Sequence, residues 1–182
     1  MTTIVKRTLT GIVYVASVIA AIYINPIICM VYFFAIALVG LYEFYHNSKK
    51  KDIHPNIILG FLLAVATYAI IAFCYSCNET LIYSLLALII VVSILIFIIE
   101  LYKKTTTAFT NISYTFLGVI YVVVPLALTN VIVLIEGYFT PMILMSVFIF
   151  AWCNDTFAYL TGMKLGKHKL FERISPKKTW QG

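Results

Sequence analysis

The sequence predicts an all-α polytopic membrane protein with about six transmembrane helices and both termini in the cytoplasm. Three observations carry that expectation. Of the 182 residues, 63% are apolar or aromatic and only 11% are charged. The apolar residues run in long blocks, and all lysines and arginines gather at alternate gaps between those blocks. Soluble domains average about 45–50% apolar and about 25% charged residues, and the mean hydropathy here is +1.01. An ordinary globular fold, a disordered chain and a disulfide-stapled secreted module are thereby excluded.

A helix needs about 20 mostly apolar residues to cross a bilayer. The blocks that meet this run from Leu9 to Ile24, Ile27 to Tyr45, Ile57 to Tyr75, Leu81 to Leu101, Ile112 to Ile135 and Pro141 to Thr161. They lack the period-2 alternation of a transmembrane barrel strand. Lys6 and Arg7 precede the first block, Lys49 to Lys51 follow the second, and Lys103 and Lys104 follow the fourth. Lys164, Lys167, Lys169, Arg173, Lys177 and Lys178 follow the sixth, which completes the 13 basic residues. The opposite connections, around Asn25–Pro26, Cys77–Thr80 and Glu136–Thr140, hold none. This split places the basic side, with both termini, in the cytoplasm, and a multi-pass protein of the inner (cytoplasmic) membrane is expected. Tyr42, Tyr45, Tyr102, Tyr138 and Tyr159 near block ends suit an interfacial belt. The start of the chain, with Ala20–Ala21 after an apolar run, also matches a signal peptide. The turn at Asn25–Pro26 leads straight into the next block and favours a retained helix. The expected organisation is therefore a six-helix domain over residues 1–161 and a basic cytoplasmic loop over 162–182.

Several motifs carry little. Cys74 and Cys77 form a C-x-x-C without a second pair, so a zinc site is not expected; with Cys29 and Cys153 they read as small apolar residues. A disulfide at the outer face stays open if that compartment is oxidising. Asn78, Asn111 and Asn154 each begin an Asn-x-Ser/Thr triplet, two of them on the cytoplasmic side or within the membrane. Gly162-Met163-Lys164-Leu165-Gly166-Lys167 is one residue short of a P-loop, and His168 stands where a hydroxyl should meet magnesium. Glu43 and Glu100, at cytoplasmic block ends, read as solvated. His46, His54 and His168 read as solvated loop residues.

Two features point to chemistry. Asn154 and Asp155 lie in the cytoplasmic half of the sixth block, where a carboxylate is costly unless it faces a polar cavity or a partner. The loop from Gly162 to Gly182 then carries six cations in 21 residues. Ser175-Pro176 reads as a helix N-cap with proline at the first helical position. Lys177 and Lys178 in that first turn would oppose the helix dipole unless an anion sat there. Gly162 and Gly166 leave room for close backbone approach. With Asp155 as a candidate magnesium ligand, these groups suit a phosphate-rich substrate at the cytoplasmic membrane face.

Asn154-Asp155-Thr156-Phe157-Ala158-Tyr159, Gly162, Gly166-Lys167 and Ile174-Ser175-Pro176-Lys177-Lys178-Thr179-Trp180 resemble the bacterial phosphatidate cytidylyltransferases (CDP-diacylglycerol synthases). Glu43-Phe44 is similar as well. The resemblance implies transfer of a cytidylyl group from CTP to phosphatidic acid, giving CDP-diacylglycerol and pyrophosphate with Mg2+ assisting. It implies catalytic roles for Asp155, Lys177 and Lys178, and substrate contacts by Asn154, Lys167, Ser175, Lys177, Lys178 and Thr179. Asp155 becomes the candidate metal ligand. Two departures stand out. Gln181 occupies a position where the family usually has Glu. Family members also continue into further helices with a Lys-Asp pair, a His-Gly-Gly and an Asp-Arg-x-Asp, so the chain resembles the N-terminal portion and is expected to be inactive alone. The implied partners are CTP, phosphatidic acid and the bilayer, with no nucleic acid; a homodimer through apolar helix faces is compatible with the composition. Two other readings remain: another CTP-dependent lipid transferase or kinase, and a small transporter with Pro125 as the main helix breaker.

Overall fold

The computed structural model describes residues 3–49, 53–75, 78–103, 105–135, 138–171, 173 and 175–182. They fall into two compact units, Met1–Pro141 and Met142–Gly182. Lys50, Lys51, Cys77 and Lys104, which figured in the topology and cysteine arguments, lie outside the described residues, as do the side chains of Lys6 and Arg7.

Each apolar block forms a helix. In order these are α1 (Thr3–Ile24), α2 (Pro26–Lys49), α3 (Ile57–Ala72), α4 (Glu79–Tyr102), α5 (Ala108–Gly118) continuing through a π turn (Val119–Val123) into α6 (Val124–Val133), and α7 (Pro141–Leu165). Among the described residues, four stretches are long and apolar enough to cross a membrane: Pro26–Lys49, Glu79–Tyr102, Ala108–Val133 and Pro141–Leu165. Thr8–Ile24 and Ile57–Ala72 are apolar but shorter. At 1.5 Å per residue, α3 spans only about 24 Å, against about 30 Å of hydrocarbon.

Local chemistry sets the helix ends. The Asn25 side chain accepts from Ile27 N at 2.7 Å ahead of Pro26, and Asn56 caps α3 through Leu59 N at 3.2 Å. Asn78 caps α4 through Leu81 N at 3.1 Å, which gives its Asn-x-Thr triplet a structural explanation. The π turn ends just before Pro125. Proline lacks the N–H that would meet the carbonyl four residues back, and its ring crowds that carbonyl, so the preceding turn widens without breaking the helix.

Two block ends need correction. The third block stops being helical at Ala72, short of Tyr75. The fifth stops at Val133, because Leu134–Ile135 (β1) pairs antiparallel with Tyr138–Phe139 (β2). A second hairpin, described below, adds two short strands to a chain whose fold class is all-α, as expected.

Two features organise the first unit. Tyr45, fully buried and so not part of the interfacial belt expected of it, lies between Gly60 of α3 and Gly118 of α5, and a Cβ on Gly118 would stand 2.6 Å from its ring. Its hydroxyl donates to the Thr115 carbonyl at 2.7 Å. Around it close Leu41, Leu63, Tyr68, Ile96 and Val123. Beside this core runs a polar chain. Glu100 is buried, not solvated: Lys103 Nζ donates to it at 2.8 Å and Asn111 Nδ2 at 2.5 Å. Asn111 Oδ1 accepts from His54 N at 2.9 Å, and Thr115 Oγ1 accepts from Asn56 N at 2.9 Å. Asn111 is therefore occupied by structure, which removes its Asn-x-Ser triplet from consideration.

Removing one partner from such a chain strands the others. Asn111→Leu leaves Glu100 Oε1 and the His54 N–H without their partner, while Lys103 still holds Glu100 Oε2, so thermal unfolding in detergent should show a loss of about 1–3 kcal/mol. Gly118→Ala should cost a similar amount by overpacking against Tyr45, about 1–3 kcal/mol, and Tyr45→Leu in the same chain should recover some of it.

Candidate active site

The second unit is built from α7 and a short hairpin. On α7, a four-residue repeat puts Asn154, Ala158 and Gly162 on one stripe and Asp155, Tyr159 and Met163 on the next. The helix runs past Thr161 to Leu165 and ends with Gly166 N on the Gly162 carbonyl at 3.1 Å. Gly162 thus belongs to the helix, not to the loop that the sequence suggested.

After α7 the chain forms β3 (Lys169–Phe171) and β4 (Ser175–Thr179), antiparallel, with Lys169 opposite Thr179 and Phe171 opposite Ser175. Trp180 N donates to the His168 carbonyl at 3.0 Å and extends the pairing. This overturns the helix N-cap expected at Ser175-Pro176. Proline is compatible with an edge strand of a two-stranded sheet, where one row of N–H groups needs no partner. The dipole argument for Lys177 and Lys178 falls with that helix. The Lys177 side chain lies outside the described residues.

Glycines permit the hairpin to approach the helix. A Cβ on Gly166 would meet the Gly162 carbonyl and stand 2.8 Å from Thr179 Oγ1, and one on Gly182 would stand 2.5 Å from the Ala158 carbonyl. Gln181 Oε1 accepts from Lys167 N at 3.1 Å and His168 N at 3.4 Å, tying the start of the hairpin to its end. An amide oxygen serves these N–H donors without needing a charge.

Between the two elements lies a cavity of about 760 Å³, within the usual size range of small-molecule sites. Asn154 and Asp155 line it from α7, and Ser175, Lys178 and Thr179 line it from the hairpin. Lys167 is exposed and does not line it. Five of the seven candidate residues are thus brought together. Thr179 Oγ1 is buried with no hydrogen-bond partner among the described residues, a costly condition unless a ligand supplies one. Among the described residues no three His, Cys, Asp or Glu side chains cluster as a metal cage. Asp155 alone fits magnesium bound in its common mode, through one or two carboxylates with phosphates and water completing the shell.

A family profile described as "Cytidylyltransferase family" matches residues 5–182. The chain belongs to the cytidylyltransferase family. It is 31% identical over 137 residues to a phosphatidate cytidylyltransferase of Rickettsia prowazekii (strain Madrid E), covering 75% of this chain and 55% of the relative. The corresponding Rickettsia bellii (strain RML369-C) protein is 29% identical over 136 residues, 75% of this chain and 53% of that one. A shorter match, 57% over 37 residues, links 20% of this chain to 14% of a phosphatidate cytidylyltransferase of Aquifex aeolicus (strain VF5). The chain spans about half the length of these Rickettsia relatives. No solved structure matches it.

Sequence reasoning missed several cavity residues. Tyr159 and Met163 could have been found by stepping four and eight residues from Asp155. Leu170 could not, because its place depends on the hairpin register.

Gly166→Ala should lever the hairpin off α7. Strain of about 1.4 kcal/mol shifts an equilibrium about tenfold, so trypsin cleavage after Lys167 and Lys169 should accelerate by about that factor, while Gly11→Ala, in open space, should leave it unchanged.

Proposed function

We propose that this chain carries a portion of the substrate site of a phosphatidate cytidylyltransferase, which makes CDP-diacylglycerol and pyrophosphate from CTP and phosphatidic acid for phospholipid synthesis. The observation that carries the proposal is the shared cavity: one carboxylate, one ammonium and two hydroxyls from two elements line the same space. Family membership and the names of the Rickettsia relatives supply the reaction class, and favour it over a transporter.

In this reading an oxygen of the lipid phosphate attacks the α-phosphorus of CTP. A new phosphorus–oxygen bond forms, the bond to the β-phosphate breaks, and its electron pair leaves with pyrophosphate. The work is positioning and charge neutralisation. Lys178 offsets negative charge on the transferring and leaving phosphates. Ser175 and Thr179 donate hydrogen bonds to phosphate oxygens, and Thr179 Oγ1 thereby gains the partner it lacks. Asn154 donates from the helix side. Magnesium, held by Asp155 together with the phosphates, supplies further neutralisation when bound. Lys177 would act beside Lys178, while Lys167, at the rim of the hairpin, would contribute through long-range attraction.

The membrane arrangement follows the charges. All six apolar helices span, with α1 and α3 as the short members, both termini are cytoplasmic, and the cavity opens to cytoplasmic CTP in the inner membrane. Apolar outer faces leave homodimer formation compatible with this arrangement.

The test is formation of labelled CDP-diacylglycerol from CTP and phosphatidic acid, with magnesium, in membranes. The chain is joined for this purpose to the remaining C-terminal portion of the Rickettsia prowazekii relative. Lys178→Gln and Asp155→Asn should each lower kcat/KM by about 10²–10³, the usual cost of removing one electrostatic group. Unchanged kinetics in both variants would remove the reading.

A further inference from the structure

The phosphate-binding groups account for only some of the cavity wall. Tyr159, Met163 and Leu170 line it too; Met163 and Leu170 offer a phosphate no hydrogen bond, and Tyr159 offers only the hydroxyl at the edge of a broad ring. Tyr159 follows Asp155 by four residues, so it lies on the same helix face about 6 Å farther along the axis. Its ring is 68% exposed and makes no hydrogen bond or ring contact with another described residue. The wall thus carries two kinds of surface. Asp155 comes one helical turn before Tyr159, and Thr179 Oγ1 stands beside Gly162 and Gly166 just beyond it, so the aromatic and apolar surface lies alongside the polar groups. A nucleotide carries both kinds of group too, phosphates and a flat, weakly polar base.

We propose that Tyr159 is the stacking platform for the nucleotide base, with Met163 and Leu170 completing an apolar rim around it. The inference rests on the proposed function and adds the base to a site argued so far from phosphates. Stacking tolerates any base, because every base has a π face. Tyr159 therefore supplies affinity for the nucleoside moiety rather than a preference for cytosine. The phenol ring, not its hydroxyl, does this work.

The experiment uses the same joined protein, purified into phosphatidylcholine nanodiscs, and measures equilibrium binding of CTP, ATP and inorganic tripolyphosphate. Wild type should bind CTP more tightly than tripolyphosphate. Tyr159→Leu should weaken CTP and ATP by about 5- to 150-fold, the range expected for loss of one stacked base, and leave tripolyphosphate unchanged. Tyr159→Phe should retain wild-type binding of all three. Equal loss of nucleotide and tripolyphosphate, or no loss of either, would overturn the proposal and leave Tyr159 as an interfacial anchor. Loss of dihexanoyl phosphatidate binding with CTP unchanged would overturn it in favour of an acyl-chain contact. The phosphate reading fails separately: it is lost if Lys178→Gln binds tripolyphosphate as well as wild type does. If wild type binds none of the three ligands, both are lost.

Discussion

A buried polar group has no water to turn to, and the arrangement of this chain follows from that constraint. In the first unit the buried polar side chains answer one another. Asn111 donates to Glu100, Thr115 Oγ1 donates to the Asn111 carbonyl and Tyr45 to the Thr115 carbonyl, while the backbone of residues 54 and 56 donates to Asn111 and Thr115, so that α2, α4, α5 and the segment before α3 share one set of hydrogen bonds. A carboxylate that looked like a solvated helix end is one end of that set. In the second unit the constraint has a different outcome. Thr179 Oγ1 is buried without a partner among the described residues, beside a cavity lined by a carboxylate and an ammonium.

Close approach of backbone is the other recurring device. Gly60 and Gly118 make the slot that Tyr45 fills, and Gly162, Gly166 and Gly182 bring α7 and the hairpin into contact. In the first unit the device closes a core; in the second it leaves room for a ligand between two elements. The cytidylyltransferase family match spans both units.

Much of this was legible from composition. Runs of Leu, Ile, Val and Phe located the long helices, with ends off by up to four residues and the start of α1 by six, since apolar length is a local property. The functional stretch was only partly legible. Asn154 and Asp155 stand out because polar groups in an apolar block need a reason, and Ser175, Lys178 and Thr179 stand out by resemblance. The hairpin was not legible, because Ser175-Pro176 suits a helix start or an edge strand equally well. The choice was made by pairing with Lys169–Phe171 across a turn, and no local pattern announces it. The burial of Glu100 was hidden for the same reason, since its partner Asn111 lies on the next helix. The shortfall at Val133, where the chain turns into β1, again depends on partners several residues on.

The central claim is that α7 and the hairpin form a built phosphate site rather than a diffuse basic loop. Lysine acetylation read by mass spectrometry, with and without CTP and magnesium, tests it most directly. Lys178 lines the cavity, while Lys164 and Lys167 are exposed outside it. Selective protection of Lys178 is the expected result. Equal protection of all three lysines, or of none, would contradict the account.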